Sequence, residues 1–310
     1  MQAVLIGVPL DLGAQNLGVD VGPDAFRYQK IAQKLTGSGI EITDKGDLPC
    51  PARETLEPGN PKLRFLDEIV RMSEETAKIS KEAIKNGQKL IALGGDHSID
   101  LGVVAGASVA LESDLGLVYL DAHGDMNTDE TTLTGNIHGM HLASLMGLGA
   151  PELAHVYGQQ PKIAKDHLLH IGGSDFDQAE LDLIEREKLQ AFTMLDLLSS
   201  GLGPLLKMID DLKTKVNNVW VSLDLDVIDM VYAPGAGMPN KRGLTYREIA
   251  AIAEYVGQNC NVVGIDVVEY NPLQDIDHKT AELGIELIAK FLGTDYSWYT
   301  STYMAQNKVS

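Results

Sequence analysis

Apolar and polar positions alternate along this chain in blocks. Short, nearly continuous apolar runs occur at Ala3 to Val8, Lys89 to Gly95, Leu115 to Leu120, Val219 to Leu223 and Val262 to Val268. Such runs predict strands buried on both faces. Weaker strand signals lie at Ile40 to Thr43, His167 to Ile171 and Ala191 to Thr193. Between the runs, apolar residues recur at helical spacing. Phe65, Ile69, Met72, Ile79 and Ala83 form one such stripe, with Asn60 placed as N-cap, Pro61 as first helical residue and Gly87 past the end. Further helices are expected through Phe26 and Ile31, at Ser98 to Leu111, His138 to Leu148, Leu181 to Lys188, Leu205 to Lys215, Thr245 to Val256 and Asp277 to Leu292. Thr245 and Glu248 have capping-box spacing.

Regular alternation of strand and helix predicts an α/β fold. Its form is a three-layer α/β/α arrangement, with a parallel sheet of about eight strands covered by helices on both faces. The Pro-, Glu- and Gly-rich stretch Leu48 to Pro61 would be the first candidate linker, but the helix after it feeds directly into the Lys89 strand. Residues 1–310 are therefore expected to form a single domain. The polar and aromatic tail from Thr294 to Ser310 reads as a frayed end, with an oligomer contact as the alternative.

Composition narrows the function. A formal charge of −19 leaves no basic surface for nucleic acid and suits a cationic ligand. The two cysteines, Cys50 and Cys260, are expected to be reduced thiols of a cytoplasmic protein. The N-terminal apolar run lacks a basic flank and reads as a strand, not a signal peptide, and no run approaches the roughly 20 residues that span a bilayer.

The candidate chemistry sits at strand ends. The Leu115 run ends in Asp121, His123 and Asp125, which point to one side of an extended chain. The Lys89 run leads into Asp96 and His97, and the Val219 run into Asp224 and Asp226. A lone aspartate at a strand end commonly caps a helix, as Asp96 is expected to orient its loop. With Asp96 set aside, three strand ends offer four aspartates and two histidines, enough for two divalent metals sharing carboxylates. The absence of cysteine from these motifs favours a harder cation than structural zinc.

These pieces have a family resemblance. GGDHS at Gly94 to Ser98, DAHGDMNT at Asp121 to Thr128, TGNIHGM at Thr134 to Met140, SLDLD at Ser222 to Asp226, GLTYRE at Gly243 to Glu248 and EYNP at Glu269 to Pro272 stand in family order. Together with IGVPLDLG and GVDVGPDAFRY near the start, they make the chain resemble the arginase branch of the ureohydrolases, binuclear manganese enzymes. The resemblance implies two Mn2+ per chain, one held by His97, Asp121, Asp125 and Asp224, the other by His123, Asp121, Asp224 and Asp226. It implies hydrolysis of the guanidino group of L-arginine to L-ornithine and urea by a metal-bridging hydroxide. Asp125 then resembles the proton donor to the leaving amine, His138 the proton shuttle and Glu269 the carboxylate that pairs with the guanidinium. Asn127, Thr134 and Asn136 resemble residues that bind the α-carboxylate, and Asp177 and Glu180 those that meet the α-ammonium. A trimer or hexamer is the family's usual assembly.

Several positions depart from the family pattern. Met238 stands where a Thr hydroxyl is usual near the guanidinium, Val227 to Met230 where Gly-Leu-Asp-Pro is usual, Ser174 for an Arg and His141 for a Pro. Two alternatives to an arginase therefore stay open. One is a ureohydrolase acting on agmatine or a guanidino acid; the other is a metal-binding family member with little turnover.

Overall fold

The structure is a computed structural model and describes residues 1–158 and 160–296. Its strands are β1 (Gln2–Val8), β2 (Glu41–Asp47), β3 (Gly59–Asn60), β4 (Leu63–Arg64), β5 (Lys89–Gly94), β6 (Gly116–Leu120), β7 (Leu168–Ile171), β8 (Gln190–Phe192), β9 (Val219–Asp224) and β10 (Val262–Val268). Eight of them form one sheet in the order β2-β1-β5-β10-β9-β6-β7-β8, every neighbouring pair parallel. β3 and β4 form a separate antiparallel hairpin.

Helices cover both faces, which explains the continuous apolar runs. In β6, Val118 and Leu120 join the core on one face and Leu117 and Tyr119 the core on the other. β9 divides in the same way, Val219, Val221 and Leu223 against Trp220. The first face packs under the helices Gly203–Lys213, Tyr246–Asn259 and Lys279–Phe291, the second under Leu66–Lys85 and Asp100–Ala110. Thr245 caps its helix in the anticipated box with Glu248.

Some boundaries differ from expectation. Asn60 does not cap the long helix. Its side chain accepts from the Lys62 N–H inside the β3–β4 hairpin, and the helix starts only at Leu66. The N-cap is Phe65, left-handed at φ 56° and buried in the core beneath the Arg53 guanidinium. The first helix breaks at Lys30, also left-handed, giving Gly22–Tyr28 and Ile31–Gly37. His138 lies in a short 3-10 turn, Ile137–Met140, before the helix His141–Leu145. The helix Met194–Ser200, not anticipated, is opened by a Thr193–Asp196 capping box. From residue 297 on, the tail lies outside the described residues. Among the described residues no helix is long and apolar enough to cross a membrane.

Candidate metal centre and substrate cleft

Four adjacent central strands, β5, β10, β9 and β6, deliver the candidate residues at one edge of the sheet, beyond their C-terminal ends. That edge is where open parallel sheets place their sites. Past β5, the Asp96 carboxylate accepts from the N–H groups of Gly13 and Ser98, so it orients the loop, as expected. The turn is tight: a Cβ on Gly95 would fall 1.9 Å from the Leu10 carbonyl oxygen. His97 follows and points back into the sheet edge, fully buried.

The six proposed metal ligands come together. His97 Nδ1 lies 3.0 Å from Asp121 Oδ2, 3.3 Å from Asp224 Oδ2 and 3.4 Å from Asp125 Oδ2. His123 Nδ1 lies 2.9 Å from Asp226 Oδ2 and 3.5 Å from Asp121 Oδ1. The two oxygens of Asp121 thus face different histidines, as a bridging carboxylate requires. These spacings match adjacent ligands around one ion with bonds of roughly 2.1 Å. Backbone amides fix the carboxylates: His123 N–H donates to Asp121 Oδ1, Asp226 N–H to Asp224 Oδ1 and Ala122 N–H to Asp226 Oδ1.

The electrostatics call for cations. Asp121, Asp125, Asp224 and Asp226 are all buried, and among the described residues their ion pairs are to histidines, not to Lys or Arg. Buried like charges need a counter-charge. Burial and the neighbouring Asp226 and Asp121 charges push Asp224 well above the usual carboxylate range. Burial and Asp121 push Asp226 up to about 6. Burial alone would raise Asp121 too, but bonds from His123 and His97 hold it well below. His97 and His123 are pushed up by the carboxylates in spite of burial. An oxygen-rich set with two imidazoles and no thiolate fits a pair of divalent ions of the Mn2+ type.

Behind His97 runs a buried hydrogen-bond chain. His97 Nε2 donates to Ser222 Oγ (2.7 Å), Ser222 donates to Asp266 Oδ1 (2.9 Å), and the Trp220 indole donates to Asp266 Oδ2. With the proton on Nε2, the Nδ1 lone pair is free to face the cluster. In the sequence Ser222 figures only as the first residue of SLDLD, and no motif contains Asp266. Asp266 interrupts an apolar strand at a buried position, which is the signal that marks it.

The cluster opens into a cleft of about 460 Å³ lined by His123, Asp125, Asn127, Thr134, His138 and others, including Asp177, Glu180, Asp224, Asp226, Met238 and Glu269. Glu269, left-handed at φ 58°, turns its carboxylate to accept from the His97 N–H, with Oε1 3.1 Å from His138 Nδ1. Gly237 makes this possible: its N–H donates to the Glu269 carbonyl, and a Cβ there would meet Glu269 Oε2 at 2.7 Å. Burial would lower the His138 pKa, but the Glu269 hydrogen bond and charge outweigh it and push it up to about 9.

At the outer end, Asn127 Nδ2 donates to Asp177 Oδ2 (2.7 Å), and Thr131 donates to Asn127 Oδ1. Glu180 behaves differently from a free acid. Its two oxygens accept from the Met126 and Asp177 N–H groups, so it braces two loops at the cleft wall. Burial pushes it up to about 7. Asn136 is buried and is not among the residues lining the cleft; its N–H donates to Thr134 Oγ1. Met238 is at the mouth, 42% exposed. Arg242 reaches across to the Ser174 carbonyl, and Asn240 to the Ser174 hydroxyl, tying two rim loops together.

Comparison with known proteins agrees with this geometry. The model of the arginase family matches residues 1–293. An arginase of Bacillus caldovelox is 38% identical over 291 residues, 93% of this chain and 97% of that protein. The structure of the arginase from that organism superposes with a TM-score of 0.91 at 37% identity, covering 95% of this chain and 99% of the other. That of Entamoeba histolytica arginase in complex with L-ornithine superposes at 0.85 and 28% identity, over 94% and 98%.

Asp226→Asn is expected to weaken one divalent ion, and Asp121→Asn to weaken both. Calorimetric titration of the metal-free variants with Mn2+ checks this. The His138–Glu269 pair has a pH signature. A histidine raised from 6.5 to about 9 stabilises the fold fully below about pH 6.5 and loses that contribution as pH rises through 9. In metal-free protein, Glu269→Gln should therefore lower the denaturation midpoint at pH 6 and leave it nearly unchanged at pH 9.5.

Proposed function

The chain belongs to the arginase family, and on that footing we propose that it hydrolyses L-arginine to L-ornithine and urea with two Mn2+ per chain. The observation that carries this reading is one cleft with two chemically distinct ends. Its floor holds the metal-ligand set with Glu269 and His138, and its rim holds Asn127, Thr134 and Asp177. A guanidinium suits the anionic floor, and a free amino-acid end suits amides, a hydroxyl and an acid at the rim.

Bound Mn2+ ions supply Lewis acidity, which makes water nucleophilic near neutral pH. The chain's own residues do the rest. Glu269, already shaped to face cations, pairs with the guanidinium and orients its carbon over the floor. Asp125 lies in the cluster and in the cleft; held ionised, it takes the proton released by the attacking water and passes it to the departing amine. His138, beside Glu269 and partly open to solvent, exchanges protons between the site and bulk water. Asn127, held from both sides by Asp177 and Thr131, presents an amide of fixed orientation to the α-carboxylate. Asp177 meets the α-ammonium directly. Glu180 acts on it through the capping box that sets the Asp177 backbone.

A cytoplasmic homo-oligomer, a trimer or hexamer, completes the proposal. Free Cys50 and Cys260 suit a reducing compartment, and the hollow in which Asp277, Lys279, Glu282 and Glu286 surround Val231, Tyr232, Tyr246 and Leu283 suits a covered face with a charged rim.

Urea release from arginine, agmatine and guanidinobutyrate tests the substrate. Arginine is expected to have the highest kcat/KM; a higher value for agmatine would move the assignment to a different ureohydrolase. Met238 offers no hydroxyl to Glu269 or the substrate. Met238→Thr is therefore expected to raise kcat/KM for arginine by about tenfold to a hundredfold, the worth of one oriented donor of roughly 1–3 kcal/mol. Metal content should not change. Equal or lower kcat/KM would assign Met238 to packing against the substrate's apolar stem.

A further inference from the structure

A phenol lies directly beneath the metal-ligand carboxylates. Tyr119, on β6, precedes Asp121 by two residues, and Asp121 directly follows the strand's last residue, so both side chains leave the extended chain on the same face. It is fully buried, and its ring stacks on His97 at 4.9 Å between centroids and 9° between planes. Its hydroxyl oxygen is 2.8 Å from Asp121 Oδ2, 2.9 Å from Asp125 Oδ2, 3.1 Å from His97 Nδ1 and 3.2 Å from His141 Nε2.

We propose that Tyr119 is a positioning residue for the metal pair, its O–H shared between Asp121 and Asp125 so that their Oδ2 atoms stay aimed at the His97 side of the cluster. Asp121, Asp224 and Asp226 are each also held by a backbone N–H, whereas the hydrogen bond that reaches Asp125 comes from Tyr119. Asp125 needs it most. It lies beyond the strand, left-handed at φ 52°, where the sheet no longer dictates its direction. The direction of the bond follows from charge. His141 Nδ1 faces the His138 carbonyl, which only accepts, so this nitrogen carries a proton, and Nε2 accepts in the neutral ring or donates in the charged one. Anionic carboxylates are stronger acceptors than a neutral ring nitrogen, and a charged ring would only donate, so in either form the hydroxyl turns to the carboxylates.

The proposal rests on the two-metal reading, and one experiment separates the two. Metal-free parent, Tyr119→Phe and Tyr246→Phe proteins are titrated with Mn2+ by calorimetry, and the electron paramagnetic resonance spectra of the loaded proteins are compared. Tyr246→Phe also deletes a hydroxyl bound to a carboxylate, that of Glu286, but far from the cluster, and controls for simple destabilisation. The expected result is a Kd for one ion weakened by about tenfold or more in Tyr119→Phe, the scale seen when a partner of a metal ligand is lost. An altered spectrum of the metal pair should accompany it, with no change in Tyr246→Phe. Failure of the parent to take up two ions overturns the two-metal reading. A parent that binds two, with both constants within twofold and the same spectrum in Tyr119→Phe, overturns the role of Tyr119. Should Tyr119→Phe not fold, 3,5-difluorotyrosine at position 119 keeps the ring and strengthens the donor. A shifted constant for one ion then supports the proposal, and unchanged constants overturn it.

Discussion

The arrangement that the rest of this molecule depends on is the crowding of four buried carboxylates against two imidazoles at the end of the central strands. In a low-dielectric interior such a set is unstable on its own, because its charges repel and are cut off from water. The fold accepts that cost and contains it. Backbone amides grip three of the four carboxylates, the Ser222–Asp266–Trp220 chain grips His97, and Tyr119 closes the floor. What remains unbalanced is negative charge directed at one place. Divalent cations answer it, and in the proposed reading so does a guanidinium paired with Glu269.

The parallel sheet is what makes such crowding possible. Parallel strands all end the same way, so four neighbours can each contribute side chains to one spot without any loop having to reach far. Burial on both faces keeps those strand ends rigid. The same requirement leaves the outer strands β2 and β8 free of site residues and the central ones rich in them.

Strand-end chemistry was legible because it needs little context. A continuous apolar run followed by Asp-x-His-x-Asp, or by Asp-x-Asp, announces both the strand and a candidate metal site, and the five residues of those patterns cluster with His97 after the β5 strand. Helix ends were less legible where a side chain had two possible partners. Asn60 could cap a helix or close a turn, and the neighbouring hairpin, with Phe65 drawn into the core, decided for the turn. The supporting shell was harder still. Tyr119 looks like one more apolar residue in a buried strand, and nothing in LVYL reveals that its hydroxyl meets two carboxylates. Glu180 reads, by resemblance, as a free acid for the α-ammonium. Only the meeting of two distant loops turns it into a brace.

Two residues of the cleft, Asp125 and Glu269, hold left-handed backbone conformations that side chains other than glycine rarely adopt. Each costs on the order of 1–3 kcal/mol unless its surroundings impose it. They do impose it. The Leu142 N–H donates to the Asp125 carbonyl; Glu269 donates its own N–H to the Gly95 carbonyl and accepts at its carbonyl from Gly237. A strand that simply continued past Val268 would send Glu269 along the sheet's alternation and away from His138. The left-handed turn swings the carboxylate back over the metal-ligand set, and Gly237, without a Cβ, leaves room for it. Strain thus appears at two positions where a carboxylate leaves the regular strand geometry, and the bonds that hold it come from the helix His141–Leu145 for Asp125 and from Gly95 and Gly237 for Glu269.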